Sequence, residues 1–195
     1  MSEKVSKMDQ IEGHMKKIMN TLGCDMNDES LKDTPKRVAK MFVNEIFSGM
    51  DEKNEPRITT FPNDYGYDQI VGLADITVYS TCEHHFLPFP MKVHIGYIPN
   101  ETVIGLSKLA RIAKYIARRP QVQERFTRQV VDFIIEKIKP KGVIVIAEGQ
   151  HMCMQMRGIE NHTATMITSE TRGIFRNEKE MEQKFLEFVK VSRGG

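Results

Sequence analysis

Cys82 and His85 stand three apart in TCEHH, and HMCMQMRG (151–158) brings a second pair, His151 and Cys153. Thiolates and imidazoles are the ligands that take zinc. Two sulfurs and one nitrogen, from Cys82, His85 and Cys153, would make a three-ligand site whose fourth position stays open for water. Structural zinc normally takes four protein ligands, so a set of three points to catalysis, with the metal lowering the pKa of its water toward neutrality. A lone C-x-x-H is weak evidence, and the second block is what strengthens it. On an extended strand Cys82 and His85 would face opposite ways; on a helix-like turn they would be neighbours. Pro88 and Pro90 just beyond favour irregular backbone here. Read as a strand, 151–158 places His151, Cys153, Gln155 and Arg157 on one face and Met152, Met154 and Met156 on a core-facing side. His84 and His151 remain as proton carriers, since an imidazole titrates near pH 6.5, in the range that acid–base work needs. His14, His94 and His162 read as surface or packing residues, and Cys24, the third of three cysteines, as a free thiol.

The elements that must position these residues follow from periodicity. Residues 1–22 carry a helical stripe of Ile11, Met15, Ile18, Met19 and Leu22. A second helix is expected from Thr34, as cap, to about Phe47, with Pro35 in its first turn. The polar segment 51–63 reads as a connector. ITVYS and KVHIGYI read as two antiparallel strands flanking TCEHHFLPFP. Leu106, Leu109, Ala110, Ala113, Ile116 and Ala117 form one apolar stripe, and Pro120 is expected to open a helix carrying Val122, Phe126, Val130, Phe133, Ile134 and Ile138 inward. GVIVIA (142–147), 151–158 and 163–169 read as strands and 178–190 as a last amphipathic helix. The order is α+β rather than doubly wound.

The 195 residues suit one domain with a helical extension, divided as an N-terminal helical region (1–55) and a catalytic domain (56–195). A net charge of +2 does not suggest nucleic-acid binding. From Lys108 to Arg128, however, seven cations face one acid, Glu124, which fits a small polyanion. No apolar run approaches the roughly 20 residues of a spanning helix, and the N-terminus has no apolar signal core, so a cytoplasmic protein without a membrane partner is expected.

TCEHHFLPF, VIGLSKLARI, RRPQVQERFT and HMCMQMRG occur in this order, and with DTPKRVAKMFVNEIFSGM they resemble the type I GTP cyclohydrolases from about residue 10 onward. The resemblance implies the tunnelling fold, an antiparallel sheet packed on a helix pair, and a toroidal homodecamer with sites at subunit interfaces. It implies Zn2+ on Cys82, His85 and Cys153, with His84 and His151 as proton-transfer residues. It implies GTP as substrate, with Gln123 and Glu124 holding the guanine. Ser107, Lys108, Arg111, Arg157 and Arg37 would hold the triphosphate. The expected reaction opens the imidazole ring of GTP to 7,8-dihydroneopterin triphosphate and formate, the first step of folate, pterin or deazapurine synthesis. The chemistry agrees: a carboxylate such as Glu124 can accept guanine N1–H and the 2-amino group, and arginine binds phosphate bidentately. There is no G-x-x-x-x-G-K-[ST] loop, so the triphosphate would not lie in a Walker-type cradle. Two stretches depart from the family pattern. Met91 stands where a glycine is common, which implies a differently built turn, and Ala164 and Met166 thin out a Ser/Thr-rich run. A nitrile reductase on the same fold would need a nucleophilic cysteine and a nicotinamide site. A non-catalytic zinc or nucleotide-binding module would not need paired proton carriers. The cysteines read as ligands and the histidines beside them argue against both.

Overall fold

The computed structural model describes residues 6–194. Helix α1 (Lys7–Thr21) opens on a reciprocal cap: the Ser6 hydroxyl accepts from Asp9 N–H (3.1 Å) and the Asp9 carboxylate accepts from Ser6 N–H (3.2 Å). Only Met19 of its expected stripe is buried; Ile18 and Leu22 are exposed. Helix α2 (Thr34–Met41) has Asp33, not Thr34, at its cap position, with no side-chain capping bond. It runs on as one π-helical turn (Phe42–Ile46) that ends where Phe47 N–H donates to Phe42 O (2.9 Å). The connector is less bare than its composition suggests, because β1 (Thr60–Pro62) lies within it.

Strands β2 (Val71–Cys82) and β3 (Pro88–Ile98) are antiparallel and longer than ITVYS and KVHIGYI, leaving only residues 83–87 for the turn. Asp75 takes a positive φ of 54° at a bulge in β2. The short β4 (Thr102–Ile104) pairs with β1 as a separate two-stranded sheet. Helix α3 (Leu106–Ala117) buries Leu109, Ile112, Ala113, Tyr115, Ile116 and Ala117, while Leu106, expected in the stripe, is 60% exposed. Pro120 does not open a helix. It forms β5 (Pro120–Gln121), a two-residue parallel pairing with the end of β2, and α4 begins only at Gln123 (Gln123–Ile138). The residue before a proline avoids the helical region, and Val122 at the cap position is still extended.

Strand β6 (Gly142–Gly149) is buried along nearly all its length. Residues 151–158 are not a strand: Met152–Gln155 form a helical turn, α5, closed by Met154 N–H and Gln155 N–H donating to His151 O (2.9 and 3.1 Å). The methionines therefore do not form a core face, and Met154 and Met156 are 38% and 63% exposed. The last strand, β7, is Met166–Gly173 rather than 163–169, and is followed by α6 (Ile174–Asn177) and α7 (Lys179–Ser192).

The main sheet runs β5–β2–β3–β6–β7, antiparallel except at β5. The helix pair α3 and α4 packs on one face, around Phe89, Met91, Val93, Ile112, Phe126, Val130 and Val145. The other face is not bare: Ile98, Ile144 and Ile146 pack there against Phe175, Phe185 and Val189 of α6 and α7. Gly96 permits this, since a Cβ there would lie 2.5 Å from the Phe185 ring. Met91 sits in mid-strand, buried and opposite Val78 and Gly149, so it shapes the core and not the turn.

Candidate metal centre

Cys82 is the last residue of β2, and the chain turns back at once. Cys82 N–H donates to Leu87 O and Phe86 N–H to Cys82 O, both at 2.8 Å, with Phe86 at a φ of 56°. This tight turn sets Cys82 and His85 side by side, as on a turn of helix. From the other side, β6 ends at Gly149, Gln150 N–H makes a bond to Pro90 O (3.0 Å), and α5 swings Cys153 toward Cys82. The ligand atoms of Cys82, His85 and Cys153 all lie within 4.8 Å of one another, and no fourth Cys, His, Asp or Glu among the described residues joins them. Two soft sulfurs and one imidazole gathered at this range suit a zinc-like cation, with a position left for another ligand. Burial, and after it the neighbouring Cys82 sulfur, pushes the Cys153 thiol up, while Arg157 pulls it down. A divalent cation between the sulfurs would override that repulsion and hold both as thiolates.

His151 and Cys153 part company on the helical turn. His151 stacks flat on Phe89, with ring centroids 4.4 Å apart and planes 10° from parallel, and its Nε2 lies 3.0 Å from Gln123 Oε1. The Gln123 amide nitrogen faces Ala147 O (2.9 Å), Met166 O (3.0 Å) and Thr168 Oγ1 (3.2 Å). Carbonyls only accept, so that end is the NH2, Oε1 is the acceptor, and His151 carries its proton on Nε2 with a lone pair on Nδ1 when neutral. Burial lowers the His151 pKa, and the charge of Glu124 works in the opposite direction. Gly149 makes the arrangement possible, because a Cβ there would stand 2.1 Å from Gln123 Oε1. The Gln123 side chain is thus wholly buried, with its amide nitrogen shared among three acceptors and its oxygen bonded to His151. Its bond to His151 was not foreseen from the sequence, where PQVQER reads as a polar helix start.

His84 is exposed, with Nδ1 3.9 Å from Cys82 Sγ. The Arg157 guanidinium reaches the metal turn, 3.3 Å from His85 Nε2. Glu124 is exposed on the first turn of α4. Ser107, Lys108 and Arg111 sit at the start of α3, whose cap residue Gly105 offers no side chain to the free N–H groups, an arrangement that suits an anion. Arg111, Lys114 and Arg118 line a cleft of about 720 Å³ with Arg57, a cation that the sequence did not single out. The rest of the basic stretch is spent locally: Arg119 stacks over Tyr115 (4.6 Å), Arg125 pairs with Glu83, and Arg128 with Asp132 (3.7 Å). Among the described residues, Arg37 bonds to Asp33 and Ser30 and makes no polar contact with the cluster. Of the three histidines set aside, His94 is fully buried beside Glu148 and Arg193; His14 and His162 are exposed.

A Cys–His–Cys group that could hold a metal ion, with a half-buried, oriented imidazole beside it, lies where the mixed sheet meets its helix pair, the kind of site that a metal-dependent enzyme would use. The sequence matches the family model for GTP cyclohydrolase I over residues 11–190. It is 42% identical over 185 residues to GTP cyclohydrolase 1 of Flavobacterium johnsoniae, covering 95% of this chain and 82% of that one. It is 44% identical to GTP cyclohydrolase 1 of Edwardsiella ictaluri over 181 residues, covering 93% and 82%. The chain belongs to the GTP cyclohydrolase I family. Among solved structures, the apo archaeosine synthase QueF-Like overlays 54% of this chain and 94% of its own at a TM-score of 0.45 and 15% identity, a likeness too remote to decide anything here.

Proposed function

We propose that this chain is a zinc-dependent GTP cyclohydrolase I, hydrolysing and rearranging GTP to 7,8-dihydroneopterin triphosphate and formate. The observation that carries the reading is the convergence of Cys82, His85 and Cys153 from two distant stretches, with no fourth such side chain joining them among the described residues. These three would hold zinc, and zinc when bound would supply Lewis acidity and an activated water for hydrolysis at the purine C8. The rest of the work falls to the chain's own side chains. Gln123 and Phe89 hold His151 in one tautomer, with its Nδ1 free to take or return a proton. His84, exposed beside Cys82, is the second proton carrier. Gln123 and Glu124 hold the guanine, the Glu124 carboxylate accepting from N1–H and the 2-amino group. Ser107, Lys108 and Arg111 at the start of α3, with Arg157, hold the triphosphate, and Arg37 joins them from a neighbouring subunit. The sheet belongs to a tunnelling fold, with an N-terminal helical region (1–55) before it, and subunits close edge to edge into a cytoplasmic decameric toroid.

The test is incubation of the purified chain with GTP and zinc, followed by oxidation and pterin fluorescence. Pterin is expected, and its formation should cease when a chelator strips the metal. GTP binding without any pterin would replace the enzyme by a nucleotide-binding module.

A further inference from the structure

Glu83 lies between the ligand Cys82 and His84, and it is neither a metal ligand nor a proton carrier in the reading above. Its carboxylate forms an ion pair with Arg125, 42 residues away on α4. Arg125 makes two further bonds to the same junction: Nε donates to Gln121 Oε1 (2.9 Å), and the terminal nitrogen paired with Glu83 also donates to Pro120 O (3.3 Å). Gln121 is itself buried and donates to Gln129 Oε1 (2.8 Å) and Ile116 O (3.2 Å). The backbone follows the same route. Thr81 and Cys82 pair with Pro120 and Gln121, and Glu83 N–H donates to Gln121 O (3.0 Å). The turn that presents Cys82 and His85 is therefore clamped to the segment that starts α4. Two and three residues beyond Gln121 stand Gln123, which holds His151, and Glu124, which would hold the base.

The energetics separate positioning from stability. The two side chains keep 32% and 41% of their surface exposed, on the rim of a cleft of about 600 Å³ that also includes Tyr115 and Arg119. An ion pair this open to solvent contributes little to folding. Reaction rates are far more sensitive, since a displacement of about 1 Å between reacting groups can cost on the order of a hundredfold. A pair that bridges the metal-holding turn and the base-holding helix therefore matters through geometry.

We propose that Glu83 and Arg125 are positioning residues, a strut that sets the metal turn against the start of α4 so that metal, His151 and purine meet in register. This rests on the cyclohydrolase reading. The experiment compares Glu83→Gln, Arg125→Met and the double variant with the parent, in kcat, KM for GTP, zinc affinity by chelator competition, and Tm. Each single variant should lose about ten- to a hundredfold in kcat with KM changed less, and about tenfold in zinc affinity. Tm should stay within about 4 °C of the parent, the range that a loss of this size permits. The double variant should fall no further than the worse single one, and Arg125→Lys should recover part of the rate by keeping the charge without the fork. Single variants that keep parental kcat and zinc affinity overturn the strut, as do losses in the double variant that multiply. A parent that makes no pterin removes the cyclohydrolase reading instead, and the strut's role in catalysis with it.

Discussion

Cys153 and His151 are two residues apart and have separable duties. Cys153 is one of three groups that could grip a cation, whereas His151 stands outside that group and is held by Gln123 and Phe89. Cys153→Ala should lose both zinc and turnover, because two ligands grip the ion far less well than three. His151→Ala should keep zinc and lose turnover by about a hundred- to ten-thousandfold, the size of a general acid–base contribution. Metal content and pterin formation on the same samples check both. Parental turnover in His151→Ala would strip that residue of its assigned part. At this scale the ligand types were legible in TCEHH and HMCMQMRG, since thiols beside imidazoles have few other uses inside a protein. The work of Gln123 was not. It depends on Gly149 lacking a Cβ and on three acceptors from β6 and β7, all far from PQVQER in the chain.

Secondary structure was most legible where one face of an element meets the core. The α3 and α4 stripes and the β6 run have periodicity that burial enforces. It failed at 151–158, where alternating methionines mimic a strand, yet the chain has left the sheet and local bonds to His151 O close a helical turn instead. Pro120 misled for a similar reason: a proline suits a first helical turn, but here tertiary pairing with β2 captures it first. His94 is an element-scale surprise. Read as surface or packing, it fills a buried slot on β3 where Asp75 N–H from the β2 bulge donates to Nδ1 (3.2 Å), with Glu148 of β6 3.4 Å and Arg193 at the end of α7 3.1 Å from Nε2. Burial, and then Arg193, lower its pKa, against the pull of Glu148 and Asp75. The folded state thus binds fewer protons at His94 than the unfolded chain does. Stability from this group is level above about pH 6.5 and falls as pH drops below it. Zinc-saturated parent protein should therefore lose more Tm between about pH 7.5 and about pH 5.5 than His94→Gln does. Comparing slopes cancels the titration of the metal ligands, and equal slopes would place the acid sensitivity elsewhere.

Over the whole molecule, the sheet leaves two long edges unpaired. β5 covers only the last two residues of β2, so residues 71–80 present one open edge, and β7 presents the other. Tyr79 and Ile167, each 68% exposed, stand on these two strands. Open strand edges present unpaired N–H and C=O groups that invite pairing with another chain. Joining the β2 edge of one subunit to the β7 edge of the next is a head-to-tail contact, which closes into a ring when its rotation permits. This is the geometry that the proposed toroid requires, and it brings residues near β7 of one chain toward the β2 end of another. Light scattering on the purified protein should give a mass near ten times the 22.5 kDa chain. Ile167→Asp, which sets a charge on that edge without touching the core, should shift the mass to smaller species while far-UV circular dichroism stays parental. It should also lower pterin formation more than Tm if the sites lie between subunits. A monomeric parent that turns over GTP would show instead that one chain carries a complete site.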